Sequence, residues 1–186
     1  MANQLNKILF AGPAGAGKTT AIAAVSDSPV VKTDARASDD VIERKQSTTV
    51  AMDYGTLRID STLTIQIVGT PGQDRFSFMW EILSHGAIGL ILLVDNARPD
   101  PLAEMAFYLE SFGSLLERRG AAAVVGVTRS DLSPLPGIAT YREELEHLGH
   151  RLPVFEVDAR ERDDVKVALM ALAAELGPAG QRRQSA

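Results

Sequence analysis

Residues 12–19 read Gly-Pro-Ala-Gly-Ala-Gly-Lys-Thr, which satisfies the pattern G-x-x-x-x-G-K-[ST]. The apolar run Leu5–Ala11 precedes it and the alanine-rich stretch Thr19–Val25 follows. That order predicts a buried strand, a glycine-rich loop and a helix. In such a loop glycines let backbone N–H groups converge on phosphate oxygens, and the helix N-terminus adds its dipole. The pattern aims Lys18 at the β- and γ-phosphates and the Thr19 hydroxyl at Mg²⁺. Gly12, Ala14, Gly15, Ala16, Gly17, Lys18, Thr19 and Thr20 are therefore candidate nucleotide-binding residues, with Thr19 also a candidate metal ligand. The motif calls for a nucleoside triphosphate and leaves the base open.

The rest of the chain alternates between two periods. Ala87–Val94 and Ala121–Thr128 are continuous apolar runs, the mark of strands covered on both faces. Thr49–Val68 reads as a hairpin turning at Asp60-Ser61, with a phase shift beside Gly55 that suggests a bulge. Pro153–Val157 is a short strand. Helical spacing marks a segment ending near Ser84, then 102–119, 140–148 and a last stripe from Val165 to Leu176. Pro29–Ser47 is polar and aperiodic, and reads as a long loop. This alternation predicts an α/β fold of the P-loop type. The expected sheet has six strands, mostly parallel with one antiparallel, and helices on both faces. The domain is expected over 1–176, with a disordered tail over 177–186.

Composition narrows the function. Among 186 residues there is no cysteine, which excludes disulfides, thiolate metal sites, prenylation and palmitoylation. Met1-Ala2 is no myristoylation start. The net charge is −5, and Arg182 and Arg183 lie in the tail, so the body is more acidic still. An acidic body disfavours nucleic acid and anionic membranes as partners. The longest apolar stretch, Gly86–Val94, is too short to cross a bilayer. No basic-then-apolar signal opens the chain. The expectation is a cytoplasmic protein with no membrane anchor of its own. His85, His147 and His150 form no metal-binding spacing.

Three further segments, in order and spacing, make the stretch Leu5–Leu176 resemble the Ras-like small GTPases, and among them the bacterial branch that includes the gliding-motility polarity GTPases. Thr49-Val-Ala-Met-Asp-Tyr-Gly55 is similar to T-I-G-V-D-F-G of Rab-type members. Gly69-Thr-Pro-Gly-Gln-Asp-Arg-Phe76 is similar to D-T-A-G-Q-E-R-F. Thr128-Arg-Ser-Asp131 sits where the family has N-K-x-D, and Asp158-Ala-Arg160 where it has S-A-K. The resemblance implies a switch that binds GTP and GDP with Mg²⁺ and hydrolyses GTP slowly. It also implies regulatory or effector partners, of roadblock type or other.

Each segment then supplies candidates. Asp131 would accept paired hydrogen bonds from N1–H and N2–H₂ of guanine, which adenine does not offer. The Arg129 stem would cover the purine, and the Ala159 N–H would meet O6. Thr128, Asp158 and Arg160 complete the base side. Gly72 would feel the γ-phosphate, and Gln73 is the candidate catalytic residue, orienting the attacking water. Thr49 is the candidate second Mg²⁺ ligand, with Thr48 one register away. Arg36, Arg44 and Arg75 are candidate arginine fingers in cis. Phe76, Phe78 and Trp80 are either core or a partner-reading patch.

Two positions depart from the resemblance. Gly69 stands where the family has the aspartate that holds Mg²⁺ through a water. Thr128 stands where it has an asparagine that ties the base loop to the phosphate loop. Both departures predict a weaker site. The Gly69 departure motivates a rival reading, a guanine-nucleotide scaffold that does not turn over. A small-molecule kinase would leave the hairpin and the Gln73 loop without a role.

Overall fold

The computed structural model describes residues 6–36, 49–73 and 76–177. Seven strands form one sheet in the order β2-β3-β4-β1-β5-β6-β7. They are β1 (Asn6–Ala11), β2 (Val31–Arg36), β3 (Thr49–Arg58), β4 (Thr64–Gly69), β5 (Ala87–Asp95), β6 (Ala122–Thr128) and β7 (Val154–Glu156). The helices are α1 (Lys18–Val25), α2 (Ser77–Ser84), α3 (Pro101–Ser111), α4 (Gly113–Leu116), α5 (Ile138–His147) and α6 (Arg162–Leu176). Only β3 runs antiparallel to its neighbours, pairing with both β2 and β4. The expected α/β sheet with one antiparallel strand is the observed one, widened by a strand.

Burial explains the apolar runs. On β5, Leu90, Leu92 and Val94 face one layer, while Ile91 and Leu93 face the other. The first layer is closed by Trp80 of α2, Met105, Tyr108 and Leu109 of α3, Leu115 of α4, and Tyr141 and Leu145 of α5. The second is closed by Ala21, Ile22 and Val25 of α1 with Val165, Ala168, Leu169 and Leu172 of α6. A strand alternates faces at every residue, so burial on both faces leaves no polar position in its sequence.

Three expectations are corrected. The extra strand, β2, lies inside the segment read as a loop. Its sequence, VKTDAR, has little apolar content because it is an edge strand paired on one side only. Residues 37–47 of that segment, like 178–186 of the expected tail, lie outside the described residues. The register of β3 with β2 and β4 runs without interruption, so there is no bulge at Gly55. The change of phase arises because β3 serves both layers, Tyr54 packing toward the first and Leu57 toward the second. The helix expected over 102–119 breaks at Phe112, where Gly113 follows, and resumes as the short α4.

The C-terminal ends of β1, β4, β5 and β6 lie side by side. The chain leaves β1 toward the β2 edge and later crosses from β4 to β5 on the other side. A parallel sheet opens a crevice at such a reversal, and ligands bind there.

Candidate functional site

The loop after β1 lies at that crevice. Gly12 has φ +136°, and a Cβ there would fall 2.0 Å from the Leu93 carbonyl oxygen, so glycine alone fits. Lys18 is buried, and its Nζ donates to the Gly12 and Pro13 carbonyls at 2.7 Å each. Burial lowers its pKa to about 8, against the pull of nearby Asp53. The ammonium is held over the loop by two weak acceptors that a phosphate would outbid.

Gly72 closes on the same loop. The Ala14 N–H donates to the Gly72 carbonyl at 2.9 Å, and the Tyr108 hydroxyl reaches the same oxygen at 3.4 Å. A Cβ on Gly72 would lie 2.6 Å from both Ala14 N and Lys18 Nζ, so no larger residue could approach so closely. Gln73 follows, and with Gly72, Pro13 and Ala14 it lines a cavity of about 650 Å³ that extends to Arg98 and Tyr108. Trp80 anchors this loop, donating from Nε1 to the Pro71 carbonyl at 2.8 Å and lying against Tyr108 and Phe112. Phe76 and Trp80 are therefore core, whereas Phe78 is 60% exposed.

A carboxylate that the motif reading did not single out completes the phosphate end. Asp53 of β3 pairs in register with Gly69 of β4. The Thr19 hydroxyl donates to Asp53 Oδ2. A Cβ on Gly69 would lie 3.2 Å from the Asp53 Cβ, so the acid grows from the neighbouring strand into the space beside position 69. The expected gap at Gly69 is thus accompanied by a carboxylate one strand away. Hydroxyl and carboxylate oxygens beside a phosphate loop are the hard donors that Mg²⁺ takes, so the residues present fit that ion. Thr49, the expected second ligand, opens β3. A strand rises about 3.3 Å per residue, which places it about 13 Å along β3 from Asp53. Thr48, Arg44 and Arg75 lie outside the described residues. Arg36 ends β2 opposite Thr49.

The residues expected to meet the base line a second cavity, of about 460 Å³. Gly15, Ala16, Gly17 and Thr20 continue into it from the phosphate loop, and Thr128, Arg129, Asp131, Asp158, Ala159 and Arg160 face them. Thr128 is buried, and its hydroxyl lies 3.1 Å from both the Ala16 and the Val94 carbonyls. It therefore ties β6 to the phosphate loop, the task the departure from asparagine seemed to forgo. Arg129 adopts φ +61°, pairs with buried Asp95 at 3.0 Å and donates to the Gly15 carbonyl at 2.9 Å. Its stem is thereby stretched along one wall. Among the described residues no cluster of three His or acidic side chains has metal-site geometry.

The candidates of the phosphate loop, the Gly72 loop and the segments after β6 and β7 are gathered at the C-terminal ends of the parallel strands, whereas Thr49 and Arg36 stand apart from them. The family of conserved hypothetical ATP-binding proteins matches residues 28–176. The chain belongs to that family. It is a nucleotide-binding protein of the P-loop type. The matched span takes in Asp53, the Gly72 loop and the whole base side from Thr128 to Arg160, while the glycine-rich loop itself lies ahead of it. No helix among the described residues is long and apolar enough to cross a membrane.

Proposed function

We propose that the chain is a guanine-nucleotide switch of the small-GTPase kind, which hydrolyses GTP slowly and presents its nucleotide state to partner proteins. The observation that carries this reading is the placing of two chemistries against one glycine-rich loop. Lys18, Thr19 and Asp53 stand at the phosphate end, and Asp131 and Ala159 line the cavity at the base end. An ionised carboxylate only accepts hydrogen bonds. Guanine offers it N1–H and N2–H₂, whereas adenine offers an acceptor at N1. A site built for a donor rejects the analogue lacking it by orders of magnitude.

At the phosphate end, Lys18 and the N–H groups of Ala14 to Thr19 bind the β- and γ-oxygens. Thr19 and Asp53 are the residues that would hold Mg²⁺, which neutralises charge on those oxygens when bound. In hydrolysis a water oxygen forms a bond to the γ-phosphorus as the bond to the GDP oxygen breaks. GDP leaves with that electron pair, and the water proton passes to the phosphate product or solvent. Gln73 orients the water, and Gly72 turns its N–H toward the γ-phosphate by releasing the Ala14 N–H. The gain comes from positioning and electrostatics.

One observation favours the rival scaffold. The Gly72 carbonyl occupies the Ala14 N–H, and Thr49 stands far along β3, an arrangement that binds without completing the catalytic set. Titration with GTP, GDP, ATP and ADP, followed by single-turnover hydrolysis of labelled GTP with Mg²⁺, separates the readings. Guanine preference with slow turnover supports the switch. Guanine preference without turnover supports the scaffold, and adenine preference overturns the guanine assignment.

A further inference from the structure

We propose that Arg160 is a positioning residue that sets base specificity, holding the Asp131 carboxylate in place from the opposite wall of the cavity. The proposal rests on the guanine reading above and adds to it a residue whose side chain that reading gave no task.

The geometry is a guanidinium fixed between two carboxylates. Arg160 donates from Nε to Asp158 Oδ1 at 2.8 Å and from Nη2 to Asp158 Oδ2 at 2.6 Å. Its own backbone N–H adds a third bond to Asp158 Oδ1 at 2.9 Å. The same Nη2 lies 3.5 Å from Asp131 Oδ2. Asp158 is anchored in turn, its N–H donating to Asp164 Oδ2 at 2.9 Å. The fork therefore costs Arg160 most of its freedom before any nucleotide arrives. Its bonds hold the Asp158 carboxyl down to about 2. One side chain joins the loop after β6 to the turn after β7.

The charge pattern makes Asp131 depend on it. The charged residues lining this cavity are Arg129, Asp131, Glu156, Asp158, Arg160 and Asp164. Arg129 is committed to Asp95 and the Gly15 carbonyl. Arg160 is thus the cation that faces Asp131 among three other acids. The chemistry turns this into specificity. The Asp131 carboxylate accepts, as guanine requires. Removing Arg160 leaves that carboxylate among the remaining acids and relaxes its position. The paired hydrogen bonds to guanine then lose their alignment, which lowers the preference for guanine over adenine. Asp131 is 60% and Arg160 68% exposed on the side chain, so the effect is modest and weakens with salt.

The test is equilibrium titration of the full chain with GDP, inosine diphosphate and ADP at pH 7.5. The proteins are the native one, Arg160→Met, Arg160→Lys, Asp131→Ala and the double variant Arg160→Met/Asp131→Ala. The expected result is that Arg160→Met lowers the GDP/ADP affinity ratio about two- to fivefold, the scale of an exposed ion pair. Arg160→Lys recovers part of the ratio. In the Asp131→Ala background Arg160→Met changes the ratio no further, because it acts through Asp131. The inosine nucleotide, which lacks the 2-amino group, follows GDP in direction with a smaller change. A native preference for GDP that Arg160→Met leaves untouched, or lowers equally without Asp131, overturns the role of Arg160. A native protein that binds GDP and ADP alike overturns the guanine reading instead.

Discussion

Asp53 and Gly69 face each other across the β3–β4 pair, and the Asp53 carboxylate accepts the Thr19 hydroxyl beside the phosphate loop. The acid expected on one strand is supplied by its neighbour at the same height. Asp53→Ala is expected to weaken the Mg²⁺ dependence of nucleotide retention by about 10- to 100-fold, the usual weight of a carboxylate that supports a metal site. Adding Gly69→Asp to that variant should restore part of it, since the Asp53 carboxylate is gone and the flexible Ile22 Cδ1, 3.0 Å from a Cβ at 69, can give way. The measurement is nucleotide dissociation against Mg²⁺ concentration. Full Mg²⁺ coupling in Asp53→Ala would remove Asp53 from the site.

Lys18 gives a prediction in pH. Burial puts its pKa at about 8 in the free protein, below the ordinary 10.5. Phosphate binds the charged form and raises that pKa. Affinity is then full below pH 8 and falls as pH rises through it, by up to about tenfold per pH unit until the bound-state pKa is passed. Folding carries the opposite sign. The unfolded chain holds the extra proton between pH 8 and 10.5, so this group's contribution to the stability of the free protein rises across that window. Titrations from pH 7 to 10 check the first statement. Lys18→Ala should lose tight binding and its pH dependence together.

Thr128 is expected to act through stability. Thr128→Val keeps the shape but leaves the Ala16 and Val94 carbonyls without the hydroxyl, at a cost of about 1–3 kcal/mol. Thr128→Ser should recover most of it. Urea unfolding of the three proteins measures the difference. A Thr128→Val midpoint equal to the native one would show that the tie contributes nothing.

Gln73→Leu separates chemistry from binding. Gln73 lines the cavity beside Gly72, and its carboxamide is the proposed orienter of water. The variant should bind GTP and GDP with native affinity and hydrolyse GTP at least about tenfold more slowly. Unchanged single-turnover rates would assign the water to another group.

Much of this arrangement was legible in the sequence because it depends on local pattern. The glycine-rich loop, the doubly buried β5 and β6 and the stripe of α6 follow from spacing and from which faces must be dry. The Asp53–Gly69 pairing was hidden by one residue of register. A turn at Asp60-Ser61 predicts a different partner for Asp53, whereas Asp60 caps the N–H groups of Thr62 and Leu63 and the strands pair Arg58 with Thr64. A slip of one residue exchanges the faces of a strand. The edge strand β2 was hidden for another reason, since VKTDAR alternates uncharged with charged residues but carries little apolar weight. The Thr128 tie and the Arg160–Asp131 contact link segments far apart in the chain, and nothing in spacing announces them.

The central claim is that the groove holds a guanine nucleotide, with Asp131 as the group that selects the base. Its most direct test is a side-by-side titration of the native protein and Asp131→Asn with GDP, ADP and xanthosine diphosphate, in Mg²⁺ at pH 7.5. The account predicts that the native protein binds GDP at least about 100-fold more tightly than ADP, since guanine donates to the Asp131 carboxylate where adenine presents an acceptor. It also predicts that Asp131→Asn shifts preference toward the xanthine nucleotide, whose 2-oxo group suits an amide donor. Equal or tighter binding of ADP by the native protein would contradict it.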